Sequence, residues 1–172
     1  VAQKAAREKA ILESARTSMP VKKVEGSKFQ GKKKCLVILA NFADTKFKPE
    51  HTLDLYKQII NGENYSDETL GFKGSVRDYF KAQSGGQFEI DFDVVGPVDL
   101  PKGYAGYGKN DASGRDQTAL VYPMVEDAVN LAKDQVTDWK QYDWDGDGLV
   151  EEVFVLYAGH GQATYPQDPD LV

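Results

Sequence analysis

The chain has 172 residues, of which 41% are hydrophobic and 11% aromatic, so it is long enough to bury a core and bulk disorder is excluded. No apolar run approaches the ~20 residues that a bilayer-spanning helix needs. The net charge of -6 combines a basic leader of 34 residues with an acidic remainder; because the leader lacks interleaved aromatics apart from Phe29, we expect a solvated connector and no nucleic-acid partner.

The N-terminal residues predict a helix followed by a linker. Residues 2–17 are rich in Ala, Glu, Lys and Arg, which favour a helix. Residues 18–34 combine Pro20 and two glycines with many lysines and are typical of an extended linker. Its basic residues would suit a processing protease, and an unprocessed linker fits equally well. The chain opens on Val1 and not on Met, so we expect a processed or trimmed chain, with residues 1–33 as helix and linker and residues 34–172 as the folded part.

The first half of the folded part predicts a buried strand and two short helices. Residues 35–42 form a continuous apolar run, which indicates a central strand covered on both faces. Residues 51–60 carry apolar side chains on one helical face, and residues 61–74 read as a polar loop. Ser75 can cap a helix that runs to about Gln83.

The second half predicts strands around one long helix. Residues 87–94 alternate strictly, so Glu89, Asp91 and Asp93 share one face, for which solvation is a better explanation than cation binding. Gly96-Pro97 is expected to break this strand, which resumes over residues 98–101 as an edge. Residues 103–114 read as a loop, and residues 115–135 as the longest helix, with Leu131 on its apolar stripe.

A last apolar run, at residues 153–157, predicts a buried strand. Strands and helices that alternate in this way indicate an α/β (α+β) fold in which helices pack on a mixed, twisted sheet.

The acidic stretch before the last strand has the spacing of a calcium loop. Asp143, Asp145 and Asp147 place three carboxylates on one side of a tight turn, and the intervening glycines let the backbone curl. An all-oxygen ligand set favours a hard cation, calcium first. A full EF-hand is excluded because its twelfth position would be Phe154. The prediction is a shorter structural calcium loop completed by the Leu149 carbonyl and Glu151 or Glu152, and the alternative is an acidic turn that binds no ion.

The chain can hardly build a catalytic zinc site by itself. It contains only two histidines, His51 and His160, and a catalytic zinc takes about three protein ligands, commonly histidines. There is no H-E-x-x-H motif. A lone histidine is more often structural, although His160 stands in a glycine-containing segment after a strand, where binding loops often occur. Cys35 is the single cysteine and is expected to be a small buried hydrophobe.

The chain resembles the immune-inhibitor-A-type secreted bacterial metallopeptidases. The resemblance covers about residues 33–165 and is carried by the following segments: Lys34–Asp44, Gly74–Phe80, Asp91–Pro97, Tyr107–Asp111 and Tyr142–Gly161. Its most specific part is the run D-W-D-G-D-G-x-V-E-x-V-x-V-x-Y-A-G-x-G at residues 143–161. Members are zincins that hydrolyse peptide bonds, so the resemblance implies the N-terminal subdomain of a zincin catalytic domain, preceded at residues 1–33 by the tail of a propeptide.

The resemblance also implies what this chain lacks. In the family, H-E-x-x-H follows the region that matches Tyr157-Ala158-Gly159, so the zinc ligands are expected beyond Val172 and none is carried over. Residues 158–162 are expected near the rim of the substrate cleft. The implied partners are a protein or peptide substrate and the C-terminal remainder of the catalytic domain, and the implied location is extracellular, cell-surface or periplasmic.

Two functions remain open from the sequence. The first is the N-terminal part of a secreted zinc endopeptidase, inactive as this fragment alone, with Ca²⁺ in this chain and Zn²⁺ bound elsewhere in the parent. The second is a non-catalytic, calcium-stabilised binding module that has lost the zinc site.

Overall fold

A computed structural model of the chain describes residues 28–69, 71–108 and 121–161. The helix predicted at residues 2–17, most of the linker and the start of the helix predicted at 115–135 lie outside these ranges. The described elements are, in chain order, β1 (Gly31–Asn41), α1 (Leu53–Asn61), β2 (Ser66–Asp67), β3 (Phe72–Lys73), α2 (Val76–Gln83), β4 (Phe88–Asp99), α3 (Val121–Ala132) and β5 (Val153–Tyr157).

The main sheet has β1 at its centre. Its strand order is β4-β1-β5, and both neighbours pair with β1 in parallel. Parallel strands need helical crossovers, which cover both sheet faces and explain why the central strand is apolar without alternation. The predicted α/β fold is confirmed. The principal sheet is parallel in the part of the chain that the structure describes, rather than mixed.

Alternate residues of β1 face two separate cores. Leu36, Ile38 and Ala40 face α3 and share one core with its residues Met124 and Ala128. The intervening residues of β1 pack on the other face, together with α1, α2 and the first half of β4: Cys35, Val37, Leu39, Ile60, Phe88, Ile90, Phe92, Val94. Each fully buried side chain of this size contributes about 1.5–3 kcal/mol, so β1 is the main hydrophobic anchor of the fold.

The helix predictions are close to the observed bounds, with one correction. The Ser75 side chain caps α2, and its partner in the capping box is Asp78. In α3, Leu131 is 46% exposed instead of lying on the buried stripe, and Ala132 is buried. The helix ends at Ala132 and gives way to a 3₁₀ turn at Lys133–Gln135.

The strand β4 runs through Gly96-Pro97, which was expected to break it. Between Ile38 and Ala40 the opposite strand advances from Val95 to Val98, so Gly96-Pro97 forms a bulge with one extra residue. Before the bulge, the buried residues of β4 that alternate from Phe88 to Val94 face the core beside α1 and α2. The extra residue turns Val98 to the core beside α3. A Cβ at Gly96 would lie 2.5 Å from the Leu39 carbonyl oxygen, so only glycine fits there.

Three further expectations need correction. The segment 61–74 contains the short hairpin β2–β3 instead of a plain loop. The strand β5 is half-buried: Val153, Val155 and Tyr157 pack on the core beside α3, whereas Phe154 and Leu156, on the opposite face, are exposed. The acidic face of β4 carries ion pairs: Glu89 pairs with Arg77 and Lys81, and Asp93 with Lys34.

Candidate metal-binding loop

The acidic loop, residues 143–152, joins a buried anchor to the last strand. A 3₁₀ turn at Trp139–Tyr142 precedes it, and β5 follows it. Tyr142 is 1% exposed and its hydroxyl donates to Asp93 at 2.9 Å. Burial, with the hydrogen bond to Asp93, raises the pKa of Tyr142, so the phenol stays neutral as a donor. The loop is therefore held at both ends by the core.

Asp143 organises the turn itself. Its carboxylate accepts backbone N–H groups from Gly146 at 2.7 Å, Asp147 at 3.1 Å and Gly148 at 2.8 Å. These backbone hydrogen bonds, that of Gly148 first, hold the pKa of Asp143 below its usual value. Gly146 and Gly148 have φ of +81° and +89°, a region that suits glycine. The predicted curl of the loop is thus explained by glycines and by side-chain acceptors.

Three carboxylates of the loop converge. Asp143, Asp145 and Glu151 each offer an oxygen, and these oxygens lie within 4.8 Å of one another. Two oxygens that bind one calcium ion at about 2.4 Å can be at most about 4.8 Å apart, so the spacing suits a single ion. The Glu151 side chain is 5% exposed, and one of its oxygens accepts the backbone N–H of Trp144 at 2.5 Å. A buried carboxylate is costly unless it is paired, and here the Lys28 ammonium lies 3.6 Å from the other Glu151 oxygen and supplies a positive charge.

The other predicted ligands are placed differently. Asp147 stands outside this cluster, and its carboxylate accepts the Leu149 N–H at 2.8 Å. The Leu149 side chain is 69% exposed, and its carbonyl as a ligand stays a prediction. The sequence left open Glu151 or Glu152, and the structure brings Glu151 to the cluster.

The donor set fits a hard cation and does not fit a catalytic zinc. All three converging groups are carboxylates, whereas zinc sites use histidine or cysteine in most cases. His51 and His160 are both exposed, and neither belongs to the carboxylate cluster. Within the described ranges, no other group of three His, Cys, Asp or Glu side chains converges in this way. These residues do not provide a zinc site.

The loop lies at the amino end of β5, away from the edge where parallel sheets bind ligands. Ligand crevices of such sheets open at the carboxyl ends of the strands. The strand β5 runs from Val153 to Tyr157, and at about 3.3 Å per residue its two ends are about 13 Å apart. A cation in the loop would therefore hold the structure rather than take part in chemistry at the carboxyl edge.

At the carboxyl edge of the sheet, side-chain hydrogen bonds connect the loops that follow the strands. Asn41 is 9% exposed; it donates to Asp99 at 3.1 Å and accepts the Phe47 N–H at 2.8 Å. The Tyr104 hydroxyl donates to the Ala158 carbonyl at 2.7 Å and so fixes the chain just after β5. The segment expected at the cleft rim thus begins at this edge.

Trp144 and Lys28 connect the acidic loop to distant parts of the chain, and the sequence pattern does not predict these contacts. Trp144 donates its indole N–H to the Lys34 carbonyl at 2.7 Å and ties the loop to β1. Lys28 forms ion pairs with Asp145 and Glu151. Both contacts join residues more than 100 positions apart, so no local pattern predicts them.

Comparison with known proteins gives consistent matches. Residues 22–163 match the family described as "Immune inhibitor A peptidase M6, catalytic domain". The chain is 29% identical over 161 residues to "Immune inhibitor A" of Bacillus thuringiensis subsp. alesti, covering 76% of this chain and 23% of that protein. It is 25% identical over 157 residues to "Pre-pro-metalloprotease PrtV" of Vibrio cholerae serotype O1 (strain M66-2), covering 75% of this chain and 17% of that protein.

The chain therefore spans less than a quarter of the length of these relatives. Among residues 28–69, 71–108 and 121–161, no helix is long and apolar enough to cross a membrane.

Proposed function

Because the chain belongs to the immune inhibitor A peptidase M6 family, we propose that it forms the N-terminal part of the catalytic domain of a secreted, zinc-dependent endopeptidase. The family match supports a peptidase function, and a similar protein from Vibrio cholerae is named a metalloprotease. The single observation that carries the proposal is the match over residues 22–163 to a peptidase catalytic domain.

The zinc ligands are proposed to lie outside this chain. Two histidines 109 positions apart cannot form H-E-x-x-H, and the described carboxylate cluster suits a harder ion. The relatives are several times longer than the matched region, so they have room for further parts of such a site. This chain would supply the sheet and, at its carboxyl edge, one wall of a cleft for a protein or peptide substrate.

Cleavage of a fluorescently labelled, unfolded protein tests this assignment. We expect the purified 172-residue chain to show no cleavage with added zinc, and the parent protein to show cleavage that a zinc chelator abolishes. Zinc-dependent cleavage by the chain alone would overturn the placement of the ligands. An inactive parent that still binds unfolded protein would instead favour the non-catalytic, calcium-stabilised binding module.

We also propose that the acidic loop binds one structural calcium ion through Asp143, Asp145 and Glu151, with Asp147 and the Leu149 carbonyl as further ligands. The spacing of the three carboxylate oxygens supports it. Bound calcium would remove the repulsion among the carboxylates and fix the start of β5. Calcium is abundant outside cells, so a structural calcium ion would agree with the proposed secretion.

Thermal unfolding tests the calcium site. At a free calcium concentration of 100 times Kd, binding adds about 2.7 kcal/mol, which we expect to raise the Tm of this chain by about 5–10 °C over its value in chelator. The rise should be lost in Glu151→Gln and kept in Glu152→Gln, which removes the same charge from an exposed neighbour. An unchanged Tm at millimolar calcium would show that the loop is an acidic turn without an ion.

A further inference from the structure

The acidic loop already has a cation next to it, supplied by the chain itself. The Lys28 ammonium lies 3.6 Å from an Asp145 oxygen and 3.6 Å from a Glu151 oxygen. These are two of the three carboxylates whose oxygens converge. The Lys28 side chain is 40% exposed, so it reaches the cluster from the solvent side.

The residue after Lys28 contacts the same loop by a different kind of interaction. The Phe29 ring packs edge-on against Trp144, with 5.9 Å between ring centroids, and against Phe88 at 6.0 Å. Lys28 and Phe29 thus dock the segment before β1 onto the loop by one ionic and one aromatic contact.

We propose that Lys28 is an internal counter-ion of the acidic loop, and that it and a divalent cation occupy the carboxylates in mutually exclusive states. A calcium ion binds carboxylate oxygens at about 2.3–2.6 Å. An ammonium paired with two of the same carboxylates would then lie within a few ångströms of a double positive charge, and like charges at this distance repel strongly. This inference rests on the proposed calcium site.

Two consequences follow for the molecule. Lys28 stabilises the loop when calcium is scarce and lowers the apparent calcium affinity of the loop. Conversely, calcium releases Lys28 and leaves the segment before β1 held by Phe29. The cation concentration would thereby control how firmly Lys28 and Phe29 are docked on the acidic loop.

Calorimetric titration with calcium tests the competition. In Lys28→Gln we expect the Kd for calcium to fall about two- to fivefold, because the Lys28 ammonium is 40% exposed and solvent screens its ion pairs. Lys48→Gln is the matched control, since it removes the same charge from an exposed residue that follows the opposite end of β1. Its Kd should stay close to that of the unchanged chain.

The possible results separate this inference from the calcium site itself. Equal affinity in the unchanged chain and both variants would overturn the role of Lys28 and leave the calcium site standing. An equal gain in both lysine variants would also overturn it, because the effect would then be one of net charge. Absence of binding in all three proteins would overturn the calcium site and, with it, the competition.

Limited proteolysis gives a second readout. A protease that cuts after lysine should cleave the Lys28–Phe29 bond faster in calcium than in chelator, as read by mass spectrometry of the fragments. Global stabilisation by calcium would slow cleavage, so the expected sign is opposite to that of a general effect. Slower or unchanged cleavage at this bond in calcium would contradict the release of Lys28.

Discussion

At the scale of single residues, Gly159 shows how closely the loops at the carboxyl edge pass one another. Its φ is +102°, and an added Cβ would lie 1.6 Å from the Tyr104 hydroxyl oxygen. A side chain here would break the hydrogen bond from Tyr104 to Ala158. The position therefore combines a backbone requirement with a steric one.

We predict that Gly159→Ala destabilises the chain by more than Gly86→Ala does. Gly86 also has a positive φ, of +81°, but a Cβ there meets nothing within 4 Å, so its cost is the backbone strain of about 1–2 kcal/mol. Urea unfolding of both variants measures the difference. Equal losses would show that the Tyr104 loop moves aside at little cost.

Because Asp78 accepts hydrogen bonds in the folded chain, we predict that the chain loses stability in acid. The Ser75 backbone N–H, at 3.0 Å, is the largest cause that lowers the pKa of Asp78, and the Ser75 hydroxyl and Asn64 N–H act in the same direction. Because the folded pKa lies below the unfolded value of about 3.9, the stabilisation is complete well above pH 4 and is lost as the pH falls through the folded pKa.

The measurement is the free energy of unfolding between pH 7 and pH 3 in chelator. We expect Asp78→Asn to be less stable at pH 7 and to lose less stability on acidification than the unchanged chain. Parallel pH curves for the two proteins would show that Asp78 does not contribute to acid sensitivity.

At the scale of elements, the outer edge of β4 is closed by side-chain amides. The Asn61 side chain donates to the Phe92 carbonyl at 2.6 Å and accepts the Phe92 N–H at 3.0 Å, as a neighbouring strand would. Further along, Gln135 accepts the Gly96 N–H at 3.1 Å. Such devices prevent an edge strand from pairing with another chain.

We predict that Asn61→Ala lowers the free energy of unfolding by about 1–3 kcal/mol, because the backbone of the buried Phe92 loses both partners. Asn61→Asp keeps the acceptor but sets a carboxylate oxygen against the Phe92 carbonyl oxygen, so its loss at pH 7 should be at least as large. Denaturant unfolding measures both. A neutral Asn61→Ala would mean that water replaces the amide without cost.

Elements with a strong local cause could be predicted from the sequence. The bounds of α2 followed from Ser75 and the apolar spacing after it, and β1 from its unbroken apolar run. The exposure of Leu131 and of β5 could not be predicted, because it depends on which neighbour covers a surface and not on local periodicity. The sequence does not distinguish a bulge at Gly96-Pro97 from the end of a strand, because glycine and proline favour both.

At the scale of the whole molecule, Cys35 reports on the integrity of the central strand. It is 0% exposed, and burial, with the charge of Glu152 as a lesser cause, raises the pKa of its thiol to about 12. We expect Ellman's reagent to leave the native chain unmodified and to react in proportion to the unfolded fraction in urea. Rapid reaction without denaturant would show that β1 opens locally.

The candidate site divides in the same way between local and distant causes. The spacing of Asp143, Asp145 and Asp147 predicts an acidic cluster because the glycines between them permit one tight turn. In the structure, Asp143 and Asp145 converge with Glu151, and Asp147 lies outside this group. Lys28 and Trp144 enter through contacts that cross the fold, and these depend on the pairing of β1 with β4 and β5. The ion itself stays a prediction that the unfolding measurements address.

The amides that cover β4 also limit how copies of this chain can associate. Among the described residues, β5 has β1 on one side and no strand on the other. Two copies could therefore join their sheets through β5, with one two-fold axis between them. The described three-stranded sheet would then present β4 as its remaining edge, where Asn61 and Gln135 occupy backbone groups of Phe92 and Gly96. Pairing through the edges of this sheet would therefore end at two chains instead of growing into a fibre.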